Sequence, residues 1–126
     1  MIDIAKQIAY WRDGSQEDWE VGEHLLAESR ARHGLFLLHL AMEKLLKAHV
    51  CRTTRNVPPR IHNLSRLVEL SGVSLDASQT DLLAEMNQYN LEGRYPDTLQ
   101  PLPPPDEVRQ DVTRYREVYE CLMRQL

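Results

Sequence analysis

Apolar residues recur along this chain at spacings of three and four rather than in strict alternation. That is the period of a helix face buried against a core, and clusters of β-branched residues bounded by turns, which would mark strands, are absent. The pattern predicts a short first helix over about Ile4 to Trp11, stopping before Gly14. Ser15 followed by Asp18 resembles a capping arrangement and opens a second helix, with Trp19, Gly22, Leu25 and Leu26 on its inner face, running to about His33. Gly34 is either a break or a tolerated residue in a close helix contact. Beyond it, LFLLHLAMEKLLKAHV is the most apolar helix, with a stripe of Leu38, Met42, Leu45 and His49, widened by Leu35, Ala41 and Ala48.

Pro58 and Pro59 end that helix, since proline lacks the amide hydrogen and restricts the residue before it. Asn63 is positioned to cap a short helix from Leu64 to about Ser71, facing in with Leu64, Leu67 and Val68 and ending at Gly72. A further helix places Leu82, Met86 and Tyr89 on one face. The segment NLEGRYPDTLQPLPPPDEV follows, stiffened by its prolines toward an extended conformation. The last helix starts with Asp106 and Glu107, where the macrodipole favours anions, and carries Val108, Val112, Tyr115, Tyr119 and Leu122 as its stripe. The expected architecture is all-α: an antiparallel up-and-down bundle of four to six helices in a single domain over residues 1–126, with dimerisation a natural way to cover any apolar stripe left over.

Composition narrows the function classes. At 126 residues there is room for one core, and no apolar run approaches the roughly 18 residues that would span a bilayer. The start lacks the features of a secretory signal, so the chain reads as cytoplasmic, with Cys51 and Cys121 kept as thiols. A net charge of -4 opposes a broad, indifferent grip on nucleic acid. The total hides two opposed fields, however. Lys44, Lys47, Arg52, Arg55, Arg60 and Arg66 fall in a stretch without acids, while Asp13, Glu17, Asp18, Glu20, Glu23 and Glu28 fall in one without Lys or Arg. Such fields can focus a phosphate-bearing ligand, or pair segments within a bundle or across a dimer.

Candidate chemistry is sparse. His39 with Glu43, and Glu20 with His24, have the four-residue spacing that can hold one metal, but no histidine has a Glu three residues before it as a bundle di-iron site needs, so no metal or other cofactor is expected. Glu43 with Lys47 reads as a surface pair. Neither cysteine nor any serine sits in a nucleophile elbow.

Three motifs in order carry a resemblance: Ala41, Glu43, Lys44, Lys47 and Ala48 in HLAMEKLLKAHV; His62 and Leu64 in PPRIHNLSRLVELSG; and Arg94, Tyr95, Pro96 and Asp97 in EMNQYNLEGRYPD. Together they resemble the HEPN family over about residues 17–124. The resemblance implies a four- to six-helix bundle, usually a homodimer with its polar groups beside the dimer cleft. Many members act as partners of a minimal nucleotidyltransferase in toxin–antitoxin or defence modules, and some are metal-independent ribonucleases. Those ribonucleases carry an Arg followed after four to six residues by a His. Here the positions after Arg94 are Leu99, Gln100 and Pro101, none able to shuttle a proton, so no catalytic residue is assigned. Arg55 and His62 have the right spacing but are interrupted by Pro58 and Pro59 and lie in the wrong part of the pattern.

The expected ligand set is Arg94, Lys44, Lys47 and His62, with Tyr95 stacking on a base or filling the core, Pro96 fixing the turn, and Asp97 orienting Arg94 or capping. An Arg94 bridge that only pins the turn is the alternative for that corner. Three functions follow: a dimeric module that binds a nucleotide or RNA phosphate beside a nucleotidyltransferase partner; a ribonuclease using Arg94 without the usual histidine, or with His62; and a helical adaptor that binds no ligand.

Overall fold

A computed structural model describes residues 2–91 and 101–126. These form five α-helices, with no strand among the described residues: α1 Ile4–Ala27, α2 Ala31–Thr54, α3 Leu64–Ser71, α4 Ala77–Met86 and α5 Pro105–Gln125, with a single 3₁₀ turn, Asn87–Tyr89, after α4. The all-α bundle expected from the pattern is what the chain adopts.

Its first helices depart from the expected boundaries. Instead of a break at Gly14 and a new start at Ser15, α1 runs unbroken for 24 residues from its cap at Asp3, whose carboxylate accepts from the Lys6 amide. Ser15 is no cap. It is buried, and its hydroxyl donates to the Ala41 carbonyl at 2.6 Å. With that hydrogen spent, the 2.8 Å contact to Tyr119 is a bond donated by the tyrosine. A glycine inside a helix costs about 1 kcal/mol, yet Gly14 makes room for the Lys44 stem, whose Cδ would lie 3.4 Å from an added Cβ. The helix also ends earlier than His33. Ser29 adopts φ 64°, the Arg30 amide bonds back to the Leu25 carbonyl at 2.8 Å, and His33 falls in the first turn of α2.

Gly34 therefore lies inside α2, and the close-contact alternative is the one observed: a Cβ on Gly34 would stand 2.9 Å from the Gly22 carbonyl oxygen. α1 and α2 are antiparallel, since Trp11 lies beside Lys47, Gly14 beside Lys44, Ser15 beside Ala41 and Gly22 beside Gly34. α2 is the central helix, with Leu35, Leu38, Ala41, Met42, Leu45, Ala48 and His49 all buried. α5 packs antiparallel to α1 through Tyr119 and Arg116, which meet Ser15 and Glu23, and Tyr119 stacks on Trp19 at 4.2 Å. Its expected stripe of Val108, Val112, Tyr115, Tyr119 and Leu122 is buried throughout. Asn63 caps α3, Gly72 ends it at φ 71°, and Asp76 with Gln79 forms a reciprocal capping box on α4.

The end of α2 clamps the last turn of α5. His49 is buried and donates from Nε2 to the Leu122 carbonyl at 2.9 Å, which leaves Nδ1 to accept from Arg52. Arg52 also donates to the Gln125 and Leu126 carbonyls, the favoured place for a cation. Burial pushes His49 below the ordinary histidine range, and Arg52 adds to the shift against an opposing pull from the Leu122 carbonyl. A folded-state value lowered in this way means that the unfolded chain takes up the proton first. The clamp's contribution is therefore complete above about pH 6.5 and is lost as pH falls toward the lowered value, by at most about 1.4 kcal/mol per unit. Urea midpoints of the protein and of His49→Gln between pH 5 and 7.5 test this: the wild-type advantage shrinks toward the acid end.

Candidate functional site

Two buried charged side chains, Glu43 and Lys47, lie together on α2. Lys47, one turn later on α2, places Nζ 3.1 Å from Glu43 Oε2, with only 6% and 5% of the two side chains exposed. The pair expected at the surface is thus inside, because α2 is central and its polar face is covered by α1 on one side and the α2–α3 loop on the other. From α1, Trp11 lays its ring over the ammonium, with Nζ 5.3 Å from the ring centroid. From the loop, His62 brings Nδ1 to 3.1 and 3.2 Å from the two Glu43 oxygens. Its position is set from both sides: the two prolines stiffen the approach, and the next residue, Asn63, is the cap of α3. The amide of Leu64 in turn bonds to Asn87 Oδ1 at 2.9 Å, tying this corner to the turn after α4.

Nδ1 of His62 carries its hydrogen toward Glu43, since a carboxylate can only accept. One carboxylate is thus shared by an ammonium and an imidazole. At 45% exposure His62 is the member open to solvent; Glu43 and Lys47 lie behind it.

Of the residues expected to bind a ligand, the structure brings Lys47 and His62 together through Glu43. Lys44 sits apart, turned toward α1, where its Nζ lies 2.7 Å from Asp18. Arg94, Tyr95, Pro96 and Asp97 lie outside the described residues. The two opposed fields meet within the bundle where Asp18 takes Lys44, whereas Glu23 of the acidic stretch takes Arg116 of α5, at 2.6 Å. Among the described residues no set of three His, Cys, Asp or Glu side chains is grouped for a metal. Glu43 is committed to Lys47 and His62.

Trp11 is a member of the group that the sequence does not single out. Its signal is available only through register: once α1 runs unbroken past Gly14, the ring falls opposite Lys47. Glu43 stands in the motif but reads there as half of a surface pair.

A five-helix bundle with a polar group built on its central helix places this protein among compact helical domains. The chain belongs to the HEPN domain family, whose model matches residues 8–126. The crystal structure of TT1696 from Thermus thermophilus is similar in fold, with a TM-score of 0.76 over 95% of this chain and 98% of that one at 16% identity. No protein of curated function matches the chain significantly. No helix among the described residues is long and apolar enough to cross a membrane.

Proposed function

We propose that this HEPN domain is a binding module that takes a phosphate group of a nucleotide or RNA beside His62, with Arg94 as the permanent cation and Lys47 and Lys44 shaping the field. The observation that carries the reading is the shared carboxylate: Glu43 holds a half-exposed imidazole and a buried ammonium on one group, 3.1 Å from each. An anion approaching His62 meets a ring fixed in orientation by Glu43, with the Lys47 ammonium on the same carboxylate behind it, where charges are weakly screened. Lys44 and Lys47 already have carboxylate partners, so they act on a ligand through the local potential, or by exchanging a carboxylate for a phosphate. Tyr95 stacks on the base and Asp97 orients Arg94 in this reading.

The module acts as a homodimer with a minimal nucleotidyltransferase as protein partner, in a toxin–antitoxin or defence-type system. Family membership supports this part. Calorimetric titration of nucleotides and short RNA tests the ligand: binding to the wild-type protein is expected to weaken at least tenfold in His62→Ala and in Arg94→Ala. Equal affinity in all three proteins removes the site, and sedimentation of the free protein as a monomer removes the dimer.

A further inference from the structure

We infer that one end of the bundle, made by the first turns of α1 and the loop joining α2 to α3, is a contact surface for single-stranded nucleic acid: Tyr10 stacks a base, and Lys6, Arg55 and Arg60 contact phosphates. This rests on the phosphate-binding reading and narrows it, from any phosphate to a strand that offers bases and several phosphates at once.

The placement follows from the helix register. Trp11 lies over Lys47, and α1 and α2 are antiparallel, so residues of α1 before Trp11 run alongside α2 beyond Lys47, toward the loop that contains Arg55 and Arg60. Lys6 and Tyr10 are four apart on α1 and share a face. His62, at the far end of the same loop, reaches back to Glu43, one turn before Lys47.

The structure also sorts the basic stretch into spent and unspent charge. Lys44 and Lys47 are paired with Asp18 and Glu43, Arg52 is used on the carbonyls of α5, and Arg66 is bridged to Glu69 at 2.7 Å. Arg55, Arg60 and Lys6 are exposed, and among the described residues their side chains enter no ion pair. Arg55 closes α2 in the left-handed region, at φ 59°, and two prolines follow within four residues, so the loop presents its cations from a stiff frame. At the same end of the α1–α2 hairpin stands Tyr10, 68% exposed, its ring set edge-on against Trp11 at 5.2 Å. Unpaired cations and an open aromatic ring at one end of the bundle, on a chain whose net charge is -4, make a local surface for a strand rather than a general polyanion grip.

The test uses labelled ten-residue oligouridylate and oligothymidylate, with inorganic polyphosphate as a base-free polyanion, followed by fluorescence anisotropy over a range of salt. With three phosphate contacts the logarithm of affinity should fall against the logarithm of salt with a slope of about -2. Arg55→Ala combined with Arg60→Ala should flatten that slope by about 1.4. Tyr10→Ala should weaken both oligomers by about 5- to 150-fold, the worth of one stacked base, and leave polyphosphate unchanged. Arg30→Ala, in the turn at the opposite end of the α1–α2 hairpin, should change nothing. Oligomers that bind all variants alike overturn this surface and leave the His62 site standing. No binding of oligomer or mononucleotide to the wild-type protein removes both.

Discussion

Glu43→Ala is expected to destabilise the protein by about 3–5 kcal/mol, a fall in melting temperature of roughly 10–20 °C for a domain of this size. The cause is the buried ammonium. Only 6% of the Lys47 side chain is exposed, and removing its carboxylate leaves the Trp11 ring to face the charge. A cation–π contact is worth about 1–2 kcal/mol in such a place, too little to replace an ion pair. A paired control separates charge from packing. Glu43→Met combined with Lys47→Met removes both charges and keeps the volume, and should lie within about 1 kcal/mol of wild type or above it. Urea unfolding of the single and double variants checks both expectations. A single variant as stable as wild type would mean that Lys47 reaches water without Glu43.

The cost of Glu43→Ala falls on the same group proposed to bind the ligand, which bears on why it is built this way. Buried ion pairs are often no better for stability than apolar residues of the same volume. Their retention here suits a site that must hold one imidazole in one orientation at the rim of a covered charge.

The bundle is legible in the sequence because its signals are local. Caps such as Asn63, breakers such as Pro58 and Gly72, and the stripes of α2 and α5 depend on residues a turn or two apart, and each appears where the pattern puts it. The first helices mislead for a reason of the opposite kind. Gly14 and Ser15 look like a stop and a start, but Gly14 is matched to Lys44 and Ser15 to Ala41 and Tyr119, partners 26 to 104 residues from that serine. Tertiary packing outweighs the local preference. The same holds for the site. His62 stands out in a motif, whereas the burial of Glu43 and Lys47 and the presence of Trp11 depend on which face of α2 is covered, and the residues around them carry no trace of that. Arg55 and Arg60 read as part of one basic stretch, and only the pairing of their neighbours sets them apart.

Enlarging Gly34 should open the same contact from the other end. A Cβ there would meet Leu26 Cγ at 2.8 Å and the Gly22 carbonyl oxygen at 2.9 Å, and one on Gly22 would meet the Gly34 carbonyl at 3.0 Å. Leu26 is half-buried and can swing aside, but a carbonyl in a helix cannot, so the helices must separate. Alanine brings back about 1 kcal/mol of helix preference, against about 1–3 kcal/mol for overpacking, so Gly34→Ala should lose up to about 2 kcal/mol and Gly34→Val more. Because the two glycines meet in one contact, Gly22→Ala added to Gly34→Ala should cost less than the sum of the singles. Separation of α1 from α2 also draws Trp11 away from Lys47 and strains the 2.6 Å bond from Ser15 to Ala41. Indole fluorescence of Gly34→Val should therefore shift to the red under native conditions, before any unfolding. A Gly34→Val protein as stable as wild type, with unchanged fluorescence, would show that the helix axes lie farther apart than the Gly22–Gly34 contact places them.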